Sequence, residues 1–407
     1  MSLYSLASRS QRRLIATFEI GRGGGLNVGP MEGLRGFAVL LVFLVHYVTL
    51  THLWIQDSPR LQALTEAIWA NGNNGVDLFF VLSGYLIYRS LMARHVGFLR
   101  FMSRRVQRIY PTFVAVLALY LALSVLVPSE SKIPGGFVAG GWYLVENLLL
   151  LPGLFPIAPI ITVAWSLSYE MAYYLALPCI VSLCALRQSV PRHRVAGFLG
   201  MGAAIVAVSI ALDGPVRLVM FVAGVLLHEA LQSGRRAPSS ALACSALVVS
   251  FIATPLLVNQ SETAYALRTV ILAGAFGLLS WVCFARPHDW LARVFAWTPL
   301  RWLGNMSYSY YLLHGLALKA TVRALALILP AHSGGPWLFW GALPFIFAVT
   351  LVASTALFAV IERPFSLHVS YPAPRRAMRG VVAPPPPPPL ALPPSQSSNV
   401  TAVGASS

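Results

Sequence analysis

Charge is scarce in this 407-residue chain: 10% of its residues are Asp, Glu, Lys or Arg, against about 25% in soluble domains. With 57% of residues hydrophobic, that scarcity excludes an ordinary soluble protein and leaves no room for a separate soluble domain between Leu34 and Ile361. Acidic residues are scarcer still, 13 against 29 basic ones, for a net charge of +16. In a soluble protein that excess would suggest nucleic acid. Membrane proteins reach it by keeping their cytoplasmic loops rich in Lys and Arg, so no nucleic-acid partner is expected. The four cysteines, Cys179, Cys184, Cys244 and Cys283, all fall inside apolar runs. None has the spacing of a metal site or a disulfide framework, so they read as buried small hydrophobes and no metal is expected. There is no Gly-x-Ser-x-Gly elbow and no reactive-cysteine context, hence no obvious covalent nucleophile. Arg9, Arg12 and Arg13 are followed by a polar Gly-rich stretch rather than a short apolar run with a cleavage site, so no signal peptide is expected. The absence of a visible internal repeat disfavours transporter folds built from duplicated halves.

What the chain does have is long apolar runs. A helix crossing roughly 30 Å of hydrocarbon needs about 20 mostly apolar residues. About ten segments qualify by that rule: 34–54, 75–92, 108–128, 162–186, 194–212, 215–232, 239–257, 265–284, 306–329 and 336–362. The sixth is the weakest, because Arg217, His228 and Glu229 crowd its ends. The stretch 137–151 is apolar but short and reads as interfacial or re-entrant. The expected fold is all-α, a polytopic transmembrane bundle with both termini cytoplasmic. With that orientation the N-terminal tail, the connection holding Arg89 to Arg108 and the later inner loops take most of the basic residues. The outer connections keep only Arg60, Lys132, Arg217, Arg268, Lys319 and Arg323. The domain plan is a cytoplasmic tail over 1–29, a membrane domain over 30–370 and a Pro-rich disordered arm over 371–407, with an unbroken proline run from Pro384 to Pro389.

Ionisable groups at membrane depth are costly and each is a functional hypothesis. The first span opens Glu32-Gly-Leu-Arg-Gly36 and carries His46. Arg35 and His46 share a helix face roughly 16 Å apart along the axis, one at the cytoplasmic mouth and the other past the midplane. Either the pair is functional, or His46 bonds between helices while Arg35 snorkels to headgroups. Glu170, about eight residues into the fourth span, is expected roughly 12 Å from the outer surface, level with His46. Those two residues could form a general base with its orienting carboxylate, or a structural ion pair. Asp77 reads as a boundary marker near the outer surface, and Ser83 and Gly84 as small residues for close helix packing. Arg100, Arg104, Arg105 and Arg108 beside the membrane suit anionic lipid, or a phosphate-bearing cytosolic ligand held by bidentate bonds. Ser307 and His314 share a face of the ninth span, for packing or for a site. Glu362 is a partner for Arg35 or for an arginine of the basic loop.

These blocks together resemble the acyltransferase 3 family, integral-membrane O-acyltransferases of which many are bacterial and act on carbohydrates. The similarity spans about Gly29 to Pro364. It runs through Glu32-Gly-Leu-Arg-Gly36 with His46, Gly75-Val-Asp-Leu-Phe-Phe-Val-Leu-Ser-Gly84 and Arg104-Arg105 with Arg108-Ile-Tyr-Pro111. Trp165-Ser-Leu-Ser-Tyr-Glu170, the block from Leu303 to His314 and Glu362-Arg-Pro364 follow in the same order. The resemblance implies transfer of an acyl group, often acetyl, from cytosolic acyl-CoA to a hydroxyl of a saccharide or glycoside. It implies a multi-pass protein of the inner (cytoplasmic) membrane, with no tightly bound cofactor. Arg35 and His46 would be the family's essential pair. On this reading Arg35, Arg104, Arg105 and Arg108 hold the donor phosphates, His46 is the general base and Glu170 orients it. Many relatives have Asp where this chain has Glu32. Some carry a C-terminal hydrolase-like domain where this chain has the Pro-rich tail, which leaves open whether a partner completes transfer. The acceptor stays open among exopolysaccharide, lipid-linked sugar, oligosaccharide and small glycoside. The competing function is a transporter or flippase for a lipid-linked saccharide.

Overall fold

Apolar runs of span length fold as helices here, and glycine contacts set how closely the helices approach. The computed structural model describes residues 15, 17–20, 28–55, 58–258, 260–328 and 335–367. The arginines at 9, 12, 13 and 22 and the Pro-rich arm over 371–407 lie outside the described residues. In chain order the helices are α1 (Val28–Leu50), α2 (Pro59–Gly72), α3 (Asn74–Ala93), α4 (Phe98–Leu126), α5 (Phe137–Leu148), α6 (Trp165–Leu183) and α7 (Pro191–Leu212). Then come α8 (Val219–Gln232), α9 (Ser240–Leu257), α10 (Glu262–Ala285), α11 (Trp290–Phe295), α12 (Thr298–Asn305), α13 (Ser307–Ile328) and α14 (Gly335–Leu357). The last leads into a π-helical turn, Phe358–Ser366. No β-strand occurs among the described residues, and the expected all-α bundle stands.

Among the described residues, eight helical segments are long and apolar enough to cross a membrane. The two other expected spans are helices as well. One is α6, 19 residues carrying Glu170 and Pro178. The other is α8, whose 14 residues extend only about 21 Å. Most of α8 is buried, so its shortness costs no contact with lipid: Met220, Phe221, Val222 and Val225 are each at most 4% exposed. Its charged ends are matched rather than hydrated. Glu229 receives Arg194 through Nε and Nη2, both at 2.8 Å, and the Tyr88 hydroxyl at 2.7 Å.

Helix α2 was not anticipated, since its 14 residues include Arg60, Gln62 and Glu66 and fall short of a span. Pro59 sits in its first turn, where a missing N–H is harmless, and Leu61, Thr65 and Gly72 bury one face. Segment 137–151 forms α5 of 12 residues, too short to span. Cys283 is buried as expected, whereas Cys179 and Cys184 are exposed on and just after α6.

Two glycine contacts bring backbones together. A Cβ at Gly84 would stand 2.4 Å from the Phe221 carbonyl oxygen, and one at Gly224 2.1 Å from that of Val81, so α3 and α8 meet with nothing between them. Helices α1 and α12 do the same. A Cβ at Gly36 would fall 2.0 Å from the Leu300 oxygen and one at Gly304 1.7 Å from the Glu32 oxygen, while one at Gly33 would fall 1.6 Å from the Phe295 oxygen at the end of α11. The glycines flanking Arg35 therefore seat α1 against the segment that leads into α13.

Candidate functional site

That seating decides where Arg35 points. Its Nε and Nη2 donate to Ser307 Oγ, at 3.2 and 2.9 Å, at the first residue of α13. One residue to the other side of the α1–α12 crossing, Arg301 reaches buried Glu32 at 3.1 Å and Glu19 at 2.9 Å. Arg35 and Ser307 line a cavity of about 360 Å³ together with Arg105, Arg108, Ser83 and Glu170. Four of the expected site residues thus meet in one place. Arg104 does not join them; it is exposed and outside that lining. Arg105 turns inward because Phe101 and Tyr174 offer ring faces, 5.2 and 5.7 Å from its guanidinium.

Arg108 is held by Glu362, Nη1 to Oε1 at 2.7 Å, which is one of the two pairings expected for that carboxylate. The other oxygen, Oε2, accepts from Ser309 N at 2.9 Å and Ser309 Oγ at 2.6 Å. A carboxylate in the first turn of α13 satisfies an N–H with no intrahelical partner and complements the helix dipole. Glu362 is fully buried and ties α4, α13 and the π-helical turn together. Glu362→Gln leaves Arg108 without its counter-charge, and a loss on the order of 3 kcal/mol is expected. It is read as a lower unfolding midpoint of the detergent-solubilised protein; an unchanged midpoint would refute this account of the turn.

His46 opens elsewhere. It lines a second cavity of about 420 Å³, at the other end of α1, with Thr49, Tyr120 and Ser124. The group beside it is His314, ring centroids 5.0 Å apart. His314 is fully buried. Its Nδ1–H donates to the carbonyls of Tyr310 and Tyr311, 2.9 Å each. The tautomer is fixed by those two acceptors, which leaves Nε2 a lone-pair site, buried and without a hydrogen-bond partner.

The expected pairing of Glu170 with His46 is therefore corrected. Glu170 Oε1 accepts from Ser83 Oγ at 2.7 Å and from the Tyr174 hydroxyl, inside the Arg35 cavity. A depth counted from residue 162 holds only where the chain enters there at the surface. In fact the approach to α6 is already sunk: Leu150, Ile160 and Ile161 are each at most 3% exposed, and Ser168 Oγ donates to the Pro152 carbonyl. Ser83 bonds a carboxylate, although it was read only as a packing residue. Asp77 is likewise no boundary marker, being 2% exposed and 3.7 Å from Arg217.

The two cavities nearly meet. Tyr311 and Ser166 face the Arg35 cavity, while their neighbours Leu312 and Val163 face the His46 cavity. Between them the Tyr311 hydroxyl bonds the Ser166 hydroxyl at 2.7 Å and the Val163 carbonyl at 2.9 Å. Tyr311 thus forms a septum. At the far mouth of the His46 cavity, Glu130 accepts from Lys319 Nζ at 2.6 Å and from Arg323. Those two donations hold its carboxyl below the ordinary carboxylate range. Lys132 is held against the wall by the Pro159 carbonyl at 2.9 Å and Thr162 Oγ1 at 3.1 Å, and burial pulls its ammonium pKa down.

Comparison with known proteins gives the same direction. The acyltransferase-domain family model matches residues 30–359. Peptidoglycan O-acetyltransferase OatA of Listeria monocytogenes is 23% identical over 371 residues, covering 83% of this chain and 55% of the relative. Acyltransferase MdmB of Streptomyces mycarofaciens is 27% identical over 370 residues, covering 82% of this chain and 90% of the relative. The chain spans about half the length of the peptidoglycan relatives it matches. No solved structure matches.

Proposed function

The chain belongs to the acyltransferase 3 family, and from that premise we propose that it moves an acyl group, acetyl in the simplest case, from acyl-CoA to a hydroxyl of a saccharide or glycoside. The reading is supported most by one observation. Arg35 and His46, on a single helix, open into two cavities whose linings adjoin at the Tyr311–Ser166 hydrogen bond. The donor enters the first cavity with its phosphates toward Arg35 and Arg105, whose guanidinium groups suit phosphate oxygens. Glu170, through Ser83 and Tyr174, keeps the wall of that cavity ordered. The positive-inside pattern argues that this end faces the cytoplasm, with the protein in the cytoplasmic membrane.

The pantetheine arm carries the thioester past Tyr311 to His46. The acceptor hydroxyl lies on the opposite side of that carbonyl. His46 takes the hydroxyl proton as the oxygen attacks, the carbon–sulfur bond breaks, and the departing sulfur receives the proton from His46. His314, its ring 5.0 Å from that of His46 and its Nε2 buried without a partner, packs beside His46 in the place expected for Glu170. The names of the relatives, an O-acetyltransferase of peptidoglycan and an acyltransferase, support an O-linked product.

The test is transfer itself. Membranes holding the protein are incubated with acetyl-CoA labelled in the acetyl group, and label is followed into lipid and carbohydrate fractions. Label that depends on the protein is expected. Arg35→Leu is expected to raise the KM for acetyl-CoA by at least about tenfold, the loss of one charge-assisted phosphate contact of roughly 1.5–3 kcal/mol. Transfer with an unaltered donor KM in that variant would remove Arg35 from the donor site.

A further inference from the structure

Basic residues are sparse beyond the His46 end of the bundle, and they are not scattered. Two of them, Arg217 and Arg268, are committed inside the protein, to Asp77 and Tyr265 and to Asn74 respectively. Arg60 is exposed on α2. The remaining three, Lys132, Lys319 and Arg323, all line the cavity of His46, and Glu130 is the single carboxylate in that lining. Topology does not account for this, since the positive-inside pattern removes Lys and Arg from this end rather than gathering them. Nor do the ion pairs account for it, because among the described residues one carboxylate shared by Lys319 and Arg323 faces three positive charges in that lining.

A concave site lined by charge of one sign with low-dielectric walls concentrates ligands of the opposite sign. Lys319 and Arg323 follow His314 by five and nine residues, about 8 and 13 Å along the axis of α13. Hydroxyl groups of Tyr120 and Ser124 line the wall they overlook. Taking the His46 cavity as the acceptor site, which rests on the function proposed above, we propose that the acceptor is an anionic saccharide. Its carboxylate or phosphate sits among Lys132, Lys319 and Arg323, while one of its hydroxyls reaches His46. Glu130 is the specificity element: it holds Lys319 and Arg323 at the mouth and trims a field that would otherwise retain any anion.

Charged thiol reagents measure that field without needing the natural acceptor. The purified full-length protein with His46→Cys is treated with 2-sulfonatoethyl or 2-(trimethylammonio)ethyl methanethiosulfonate. Labelling is read on the peptide spanning position 46, so that the four native cysteines report separately. Rates are divided by those of a small free thiol. The anionic reagent is expected to be favoured by about tenfold or more, the lower end of electrostatic steering. Adding Lys319→Gln or Arg323→Gln should bring the ratio toward one. Adding Glu130→Gln should raise it, a change of opposite sign that misfolding would not produce. An oligohexuronate should slow labelling more than an uncharged oligohexose.

Failure of both reagents to label position 46 would overturn the cavity as an entry for a soluble acceptor, and with it the proposed function. Labelling with no charge preference, or equal protection by the two oligosaccharides, would overturn the anionic acceptor alone. So would protection that appears only with phosphatidylglycerol in the detergent micelle, because the cations would then serve lipid headgroups.

Discussion

His46→Gln is expected to lower acyl transfer by about 10²- to 10⁴-fold, the range in which a positioned general base contributes, while leaving the donor KM nearly unchanged. The expectation follows from the separation of the two cavities. Arg35 and Arg105 line one and His46 the other, so removing the imidazole touches none of the proposed phosphate contacts of the donor. Glutamine keeps much of the volume and a hydrogen-bonding end but cannot accept a proton at neutral pH. Substituting the neighbour, His314→Phe, keeps the ring that packs at 5.4 Å on Tyr310 and removes the Nε2 acceptor. A smaller loss of kcat is expected there, again without a change in donor KM. The measurement is initial-rate kinetics with labelled acetyl-CoA on equal amounts of folded protein. Full activity in His46→Gln would end the general-base mechanism, and a large rise in donor KM would mean that the cavities are not functionally separate.

The second large effect is structural. Gly304→Val should prevent accumulation of folded protein. Its Cβ would sit 1.7 Å from the Glu32 carbonyl oxygen and 2.9 Å from the Gly36 nitrogen. Both are backbone atoms, so no side chain can swing away and the helices must part. Overpacking in a soluble core typically costs about 1–3 kcal/mol. This contact should exceed that, because parting α1 from α12 also breaks Arg301 from Glu32 and Arg35 from Ser307. Gly200→Ala is the control. Nothing lies within 4 Å of its Cβ, and alanine in place of glycine in a helix gains roughly 0.5–1 kcal/mol. Monodisperse elution from detergent and the unfolding midpoint distinguish the two, and a well-folded Gly304→Val would refute the close crossing.

Positions that share one helix were legible before any coordinates. Arg35 and His46 lie on α1, and a fixed rise per residue turns their spacing into a distance. The six blocks and the helical class are readable for the same reason: they depend on local periodicity and composition. What escaped depends on where separate elements meet. Glu170 was assigned to His46 by depth, and depth cannot be counted across a connection that is itself buried. Arg104 and Arg105 are equivalent as sequence; only Tyr174, brought from α6 to join Phe101 one turn earlier on α4, turns one inward. Asp77 looks like a boundary until Arg217 arrives from the segment before α8. For His314 there was a signal, the seven-residue spacing to Ser307 on one face. Its two ends prove to touch Arg35 and His46 in turn.

The Tyr311 septum bears on how a cell can tolerate such a protein at all. Two cavities of about 360 and 420 Å³, opening toward opposite ends of α1, would form a continuous path if they joined, and in an energised membrane protons would leak through it. The Tyr311 hydroxyl, closed onto Ser166 and the Val163 carbonyl, stands between them. In the proposed transfer, the pantetheine arm that displaces Tyr311 would fill the gap it makes. The substrate itself would then be the stopper, letting an acyl group pass from one chamber to the other while the ion gradient stays intact.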